Sequence, residues 1–244
     1  MSSWSRSCAG IGALVAAVPA CAADMPIKAP VAVPVTASWT GCHVGGNAGY
    51  GWSDFKSVFS AADVTRPGAA GITDVIVNDA GAAGGAQLGC DYQINAWVVG
   101  ARGLWDAAEI DGSAPGSQFP AFHHDNTVHW FTTATARVGY VWQSETLFYL
   151  QGGAAWTSVK DVVHSPNGGA SEAAVAGRDG WTAGVGVEHR FAARWSMFIE
   201  YDFADFGSKT VAYTTTPPAV GVPTIVVETQ NLHAVLVGVN YQFW

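Results

Sequence analysis

The sequence predicts an all-β fold: an eight-stranded antiparallel transmembrane β-barrel wound as an up-and-down meander. Three observations predict it. The last strand alternates strictly, the same alternation recurs about eight times along the chain, and the tryptophans gather in two groups. In the last strand Val235, Val237, Val239, Tyr241 and Phe243 share one side, while Leu236, Gly238, Asn240 and Gln242 share the other. A strand in lipid must give every backbone N–H and C=O to a neighbour while its side chains face lipid and lumen in turn.

Taken in order, residues 1–23 read as a signal peptide. Arg6 supplies a positive start, Cys8 to Val18 an apolar core, and Ala20-Cys21-Ala22-Ala23 a small-residue cleavage site. A rival reading takes Val18-Pro19-Ala20-Cys21 as a lipoprotein box. Residues 24–38 carry Pro26, Pro30 and Pro34 and form a flexible periplasmic lead-in. The barrel then occupies 39–244, with strands expected at 40–52, 83–94, 97–107, 128–142, 146–158, 180–191, 195–206 and 231–244. Short joins at Asn95-Ala96, Gln143-Ser144-Glu145 and Ala192-Ala193-Arg194 alternate with long ones at 53–82, 108–127, 159–179 and 207–230. Short turns on one side and long loops on the other are the asymmetry of membrane barrels.

The tryptophans test that division. Trp39, Trp97, Trp142, Trp195 and Trp244 fall at the short-turn end, and Trp52, Trp105, Trp130, Trp156 and Trp181 at the long-loop end. Indole has an apolar body and one polar N–H, so it settles at both water–lipid boundaries. By pleat parity all but Trp39 and Trp244 face outward. The outward rows Cys42, Val44, Gly46, Ala48, Tyr50, Trp52 and Trp181, Ala183, Val185, Val187, His189, Phe191 carry no fixed charge. A Lys or Arg at mid-bilayer would cost roughly 2–4 kcal/mol.

Composition narrows the function. Only 12% of residues are charged and the net charge is −8, which excludes the basic surface that nucleic acid requires. Past the signal, no run reaches the ~20 apolar residues of a membrane helix. The exported chain keeps two cysteines, Cys42 and Cys90, on the outward face of neighbouring strands. They either form a disulfide or stand as two small apolar residues facing lipid.

The opening Trp39-Thr40-Gly41-Cys42-His43-Val44-Gly45-Gly46-Asn47-Ala48-Gly49-Tyr50-Gly51-Trp52 resembles that of the alphaproteobacterial small porin-like or immunogenic outer-membrane proteins, in the eight-stranded OmpA-like superfamily. Gly84-Gly85-Ala86-Gln87-Leu88-Gly89, Ala136-Arg137-Val138-Gly139-Tyr140, Gly184-Val185-Gly186-Val187-Glu188, Glu200-Tyr201-Asp202-Phe203 and the closing 237–243 are similar to later segments of that family. The resemblance spans nearly all of the exported chain and implies an outer-membrane location. The chain departs from it at Cys42 and Cys90, where an aromatic is usual, at Arg102, where an inward acid is common, and at Thr135 and Leu236, where inward arginines are common. It also ends on Phe243-Trp244 rather than Phe.

Inward positions hold Asp91, Arg102, Asp106, Arg137, Glu188, Arg190, Glu200 and Asp202. Arg102, Arg137 and Glu200 lie at matching depth, with Glu188 about two residues lower, close enough for the side chains to meet. Enclosed ions must pair. They form either a structural plug or the constriction of a narrow channel, and eight strands leave room for little more than side chains. Inward glycines leave water-filled voids or relieve crowding at strand bends. His123-His124-Asp125, His129 and Ser117 sit near the second long loop as ordinary polar loop residues, since no nucleophile or metal spacing accompanies them. The expectation is a monomeric barrel with an envelope-structural role, without catalytic site, cofactor, metal or nucleic acid. Its partners are outer-membrane lipids and, through the C-terminal strand, the outer-membrane assembly machinery. A narrow channel and a surface-recognition protein acting through the long loops are the alternatives.

Overall fold

The structure, a computed structural model, describes residues 38–63, 68–165, 171–216 and 224–243. The expected signal peptide, the lead-in before Ser38, and Trp244 lie outside the described residues. The strands are β1 (Gly41–Phe59), β2 (Thr73–Ile94), β3 (Trp97–Pro115), β4 (His123–Trp142), β5 (Thr146–His164), β6 (Ser171–Ala192), β7 (Trp195–Ala212), the short β8 (Thr214–Thr216) and β9 (Ile225–Gln242). The eight long strands form a ring of antiparallel pairs. β9 pairs β1 on one side and β7 on the other, and the β5–β6 pairing completes the circuit. The short β8 adds three pairs to the outer end of β6.

The short joins stand where expected. Ile94 opposes Trp97 across Asn95-Ala96, and Trp142 opposes Thr146 across residues 143–145. Asn95, Gln143 and Ser144 take left-handed backbone at φ 55°, 52° and 63°, which the tight reversals require.

The long connections are a correction. They shrink because the strands continue well past the outer tryptophans: β1 runs seven residues beyond Trp52 to Phe59, and β2 begins at Thr73 rather than 83. At the belt the faces exchange roles. Below it Val44, Tyr50, Leu88, Val99, Val138 and Leu150 are exposed outward. Above it Asp54, Lys56, Glu109 and Asp111 face out, while Phe55, Phe59, Val75, Val77 and Ile110 are buried within. Water replaces lipid as the outer solvent there, so the apolar side of each strand turns to the lumen. The belts themselves are as expected. Trp97, Trp142 and Trp195 are exposed at the turn end, and Trp52, Trp105, Trp156 and Trp181 at the outer end. Trp39 turns inward, where its ring lies under the Arg190 guanidinium at 4.5 Å.

Inside, the lumen is filled in layers. Trp39, Val98, Val141, Leu147 and Tyr149 close the turn end. An ion-paired layer follows. At the level of the outer belt Leu104, Ile110, Val128, Phe131, Leu232 and Leu236, with Ala83, Ala155 and Ala204, make a continuous apolar cluster. A second charged layer lies beyond it, capped by Phe59, Val211, Tyr213 and Val226 near the rim. Cys42 and Cys90 oppose each other directly in β1 and β2 and are joined by a disulfide, Cα–Cα 4.0 Å, on the outer face of the turn end.

Candidate functional site

The lower layer is assembled by register. Asp91 of β2, Arg102 of β3, Arg137 of β4, Glu188 of β6 and Glu200 of β7 all fall on inward positions and are buried. Arg102 grips Glu200 with both terminal nitrogens, at 2.7 and 2.9 Å. Arg137 donates to Glu188 at 2.9 Å and through Nε to Asp91 at 2.7 Å, with a second, shorter bond to Asp91. The four residues expected to cluster thus form two pairs, and Asp91 joins them as a fifth member. Around them His43 faces Asp91 at 3.3 Å, the Tyr149 hydroxyl donates to Glu200 at 2.7 Å, and Ser196 and Asn240 donate to Glu188 at 2.5 and 2.8 Å. Forked guanidinium–carboxylate bonds are the strong form of such pairs, and extra donors satisfy the lone pairs that burial would otherwise strand. Of the remaining inward charges, Arg190 donates to Gln242 at 2.9 Å, Asp202 accepts from Gln151 at 2.5 Å, and Asp106 is buried beside the apolar layer.

Glycines make these contacts reachable. Gly100 stands between Asp91 and Arg137 in register, and a Cβ there would overlap the Asp91 carboxylate. The missing side chain lets Asp91 lie across β3 and meet Arg137 two strands away. Gly45 does the same for Asn240 and Gln87, whose amides bond at 2.5 Å. Gly184 serves Asp202 and Gln151, and Gly186 serves Tyr149 and Glu200. These glycines are neither voids nor relief for bends, the two roles expected of them; each is filled by a neighbour's polar side chain.

The upper layer has no counterpart in the expectations. His124, taken as a loop residue, is buried on the inward face of β4. Its Nδ1 lies 3.3 Å from Asp161 and its Nε2 3.7 Å from Asp74. Arg178 pairs with Glu228 in a short contact, and the Tyr213 hydroxyl touches both Glu228, at 2.9 Å, and Asp161. Burial lowers the imidazole, but Asp161, with Asp74 and Glu228 behind it, outweighs burial and holds His124 above its ordinary value. Burial raises Glu228 against the pull of Arg178. Asp79 is the least settled. It leans across Gly112 toward Asn126, yet neither its oxygens nor the Asn126 amide has a hydrogen-bond partner among the described residues. Burial, and then the charges of Asp161, Asp111 and Asp54, push its carboxyl up to about 8.

Above this layer lies a cavity of about 120 Å³ at the outer end of the barrel. Its walls include Phe59, Phe119, Phe122 and Tyr213, with Asp74, His124 and Glu172 as the polar groups. The 116–122 turn reaches it because Gly116 donates to the Phe122 carbonyl at 2.8 Å and Ser117 to the Asp74 carbonyl at 2.6 Å. Among the described residues no three His, Cys, Asp or Glu side chains converge as a metal site.

Comparison with known proteins agrees with this architecture. The 31 kDa outer-membrane immunogenic protein of Brucella melitensis is 32% identical over 93% of this chain and 95% of its own length. The 25 kDa outer-membrane immunogenic protein of Brucella abortus is 28% identical over 89% and 85%. Among solved structures, the outer membrane protein OprG of Pseudomonas aeruginosa superposes with a TM-score of 0.56 at 14% identity, covering 85% of this chain and 98% of its own. The sequence profile described as outer membrane protein beta-barrel domain matches residues 11–243. The protein is an outer-membrane β-barrel, and the chain belongs to the outer membrane protein beta-barrel domain family.

Proposed function

We propose that the protein is an envelope-structural barrel with a sealed lumen, acting as a monomer in outer-membrane lipid and presenting its outer end as a surface. The observation that carries this reading is the apolar layer between the two charged ones. Phe131, Leu232 and Leu236 pack with Leu104 and Ile110 across the inside of the ring. An ion crossing there would meet a ring of mainly apolar side chains, with Asp106 opposite Phe131 as the charged group at that level, and would give up most of its water at a cost of several kcal/mol. Charged residues below and above this layer stiffen the ring rather than conduct through it. The relatives' names, outer-membrane immunogenic proteins, support a role in display and no enzymatic one. The assembly machinery would read the last strand, β9, whose outward Val237 and Val239, with Phe243 just past its end, are exposed.

The test is conductance of the refolded exported chain in a planar bilayer, with heat-shifted gel mobility reporting barrel formation. The wild type should give no steps or only rare small ones. Replacing Phe131 and Leu236 together with Ala should produce steps, which assigns the seal to the apolar layer. Frequent steps in the wild type, with ion preference altered by changes at Arg102 or Arg137, would establish a narrow channel instead.

A further inference from the structure

Two guanidiniums stand near the β6–β7 turn, at the turn-end belt. Arg190, buried on the inward row of β6, donates to the Gln242 side-chain oxygen at 2.9 Å and lies over the Trp39 ring. Arg194, exposed on the turn itself, donates to the Tyr241 hydroxyl at 3.3 Å. Both thus bond neutral groups. They share the wall of a cleft with Trp39, Trp195, Ser196 and Gln242; Asp91 and Glu188, which also line it, are engaged by Arg137. The cleft encloses about 10 Å³, room for one oxygen-sized atom. On the lipid-facing side of the same strands runs an apolar groove of about 610 Å³. Register builds its walls as a ladder that starts at the belt. Trp195 opposes Tyr241, then Met197 lies between His189 and Val239, and Ile199 between Val187 and Val237.

We infer that this corner is a binding site for an anionic phospholipid of the periplasmic leaflet, its phosphate against Arg194 and Arg190 and an acyl chain in the groove. Short turns face the periplasm in membrane barrels, so that leaflet is the one this end meets. A guanidinium offers forked donors that match a phosphate. One phosphate oxygen fits the cleft while the rest of the headgroup stays at the boundary, beside the interfacial rings of Trp195 and Tyr241. Basic side chains near the surface select lipids of net negative charge; a zwitterionic headgroup would bring its own ammonium toward the same arginines. The chain follows Met197 and Ile199, exposed outward on β7, with roughly 13 Å of strand between Trp195 and Ile199. A soluble phosphate would have only the cleft, so the groove makes the lipid the ligand. The site occupies the turn end and the outer wall, and stands independently of whether the lumen is sealed.

Phosphatidylglycerol is the probe, added to the refolded exported chain in non-ionic detergent micelles, with retained lipids counted by native mass spectrometry. Phosphatidylcholine of the same chain length is the zwitterionic control, and glycerol phosphate the free anion. One phosphatidylglycerol should be retained per barrel, about tenfold more tightly than phosphatidylcholine, and glycerol phosphate should not be retained. Arg194→Gln, on the exposed turn, leaves the barrel's heat-shifted mobility unchanged; it should cut the preference about fivefold. Met197→Trp fills the groove and should weaken both lipids. Equal retention of the two lipids, graded binding without a defined count, glycerol phosphate held as well as the lipid, an unchanged preference in Arg194→Gln, or indifference of both lipids to Met197→Trp would each overturn the assignment.

Discussion

In the lower charged layer Asp91, Glu188 and Glu200 each accept from at least two donor side chains. In the upper layer Asp79 accepts from none among the described residues, and Tyr213 has one proton to offer two carboxylates. Both layers are built from the same residue types on the same inward rows. Their surroundings differ: lipid encircles the lower one, so an unmatched ion has no water to turn to. The upper layer stands outside the belt, where an acid can hold its proton or recruit solvent. Unmatched charge in this barrel therefore gathers at and above the outer belt, where Asp106 and Asp79 both lack a hydrogen-bond partner among the described residues.

The largest expected effect breaks the lower layer. Arg137→Ala strands Asp91 and Glu188 together and should cost about 3–5 kcal/mol, read as a fall in the urea midpoint for loss of heat-shifted mobility. Arg178→Ala in the upper layer should cost about half as much, because Glu228, already raised by burial, can take up a proton. Equal losses would remove the distinction between the layers.

Asp79 sharpens it further. The unfolded carboxyl loses its proton near 3.8, whereas the folded one holds it to about 8. The stability associated with the protonated group is therefore complete below pH 4 and lost as pH rises through 8. The urea midpoint should decline over that window, and Asp79→Asn should flatten the decline and leave the protein more stable than the wild type at pH 8. A smaller slope should persist from His124. Its raised value adds stability that is present below 6.5 and lost as the folded imidazole deprotonates. A midpoint that rises with pH in the wild type would contradict both assignments.

The smallest effect belongs to the disulfide. Cys42 and Cys90 are already opposed in register and each strand is paired on its other side. Replacing both with Ser should therefore cost only about 1 kcal/mol, toward the low end of what such bridges contribute.

The membrane half of this protein was legible in its sequence because lipid imposes one rule on every outward position. Val235, Val237 and Val239 cannot be read otherwise when seven similar rows precede them. The half above the belt was not legible. In β1 the apolar side passes from Tyr50 and Trp52 outside to Phe55 and Phe59 inside within a few residues. A period-two pattern that changes face looks like a strand ending. The upper charged layer was lost with it, since His124, Asp161, Arg178 and Glu228 all fell within supposed loops. The signal that could have found them was the inverted alternation itself, Asp54 and Lys56 against Phe55 and Ser57. The apolar layer was missed differently: Leu236 was noted as a departure from an inward arginine, and Leu104, Phe131 and Leu232 are its companions.

The side chains that lie across glycines also bear on how the barrel is put together. Asp91 can reach Arg137 only when the strand between them has Gly100 at one position, and only after the third strand has arrived. Each crossing thus favours the native register over a displaced one. A strand displaced along its neighbour would set a Cβ in the path and leave both charges stranded in lipid-enclosed space, so misaligned intermediates cannot settle. The crossing over Gly45 joins β2 to β9 through β1. It ties together the seam itself, where the first and last strands of the barrel meet.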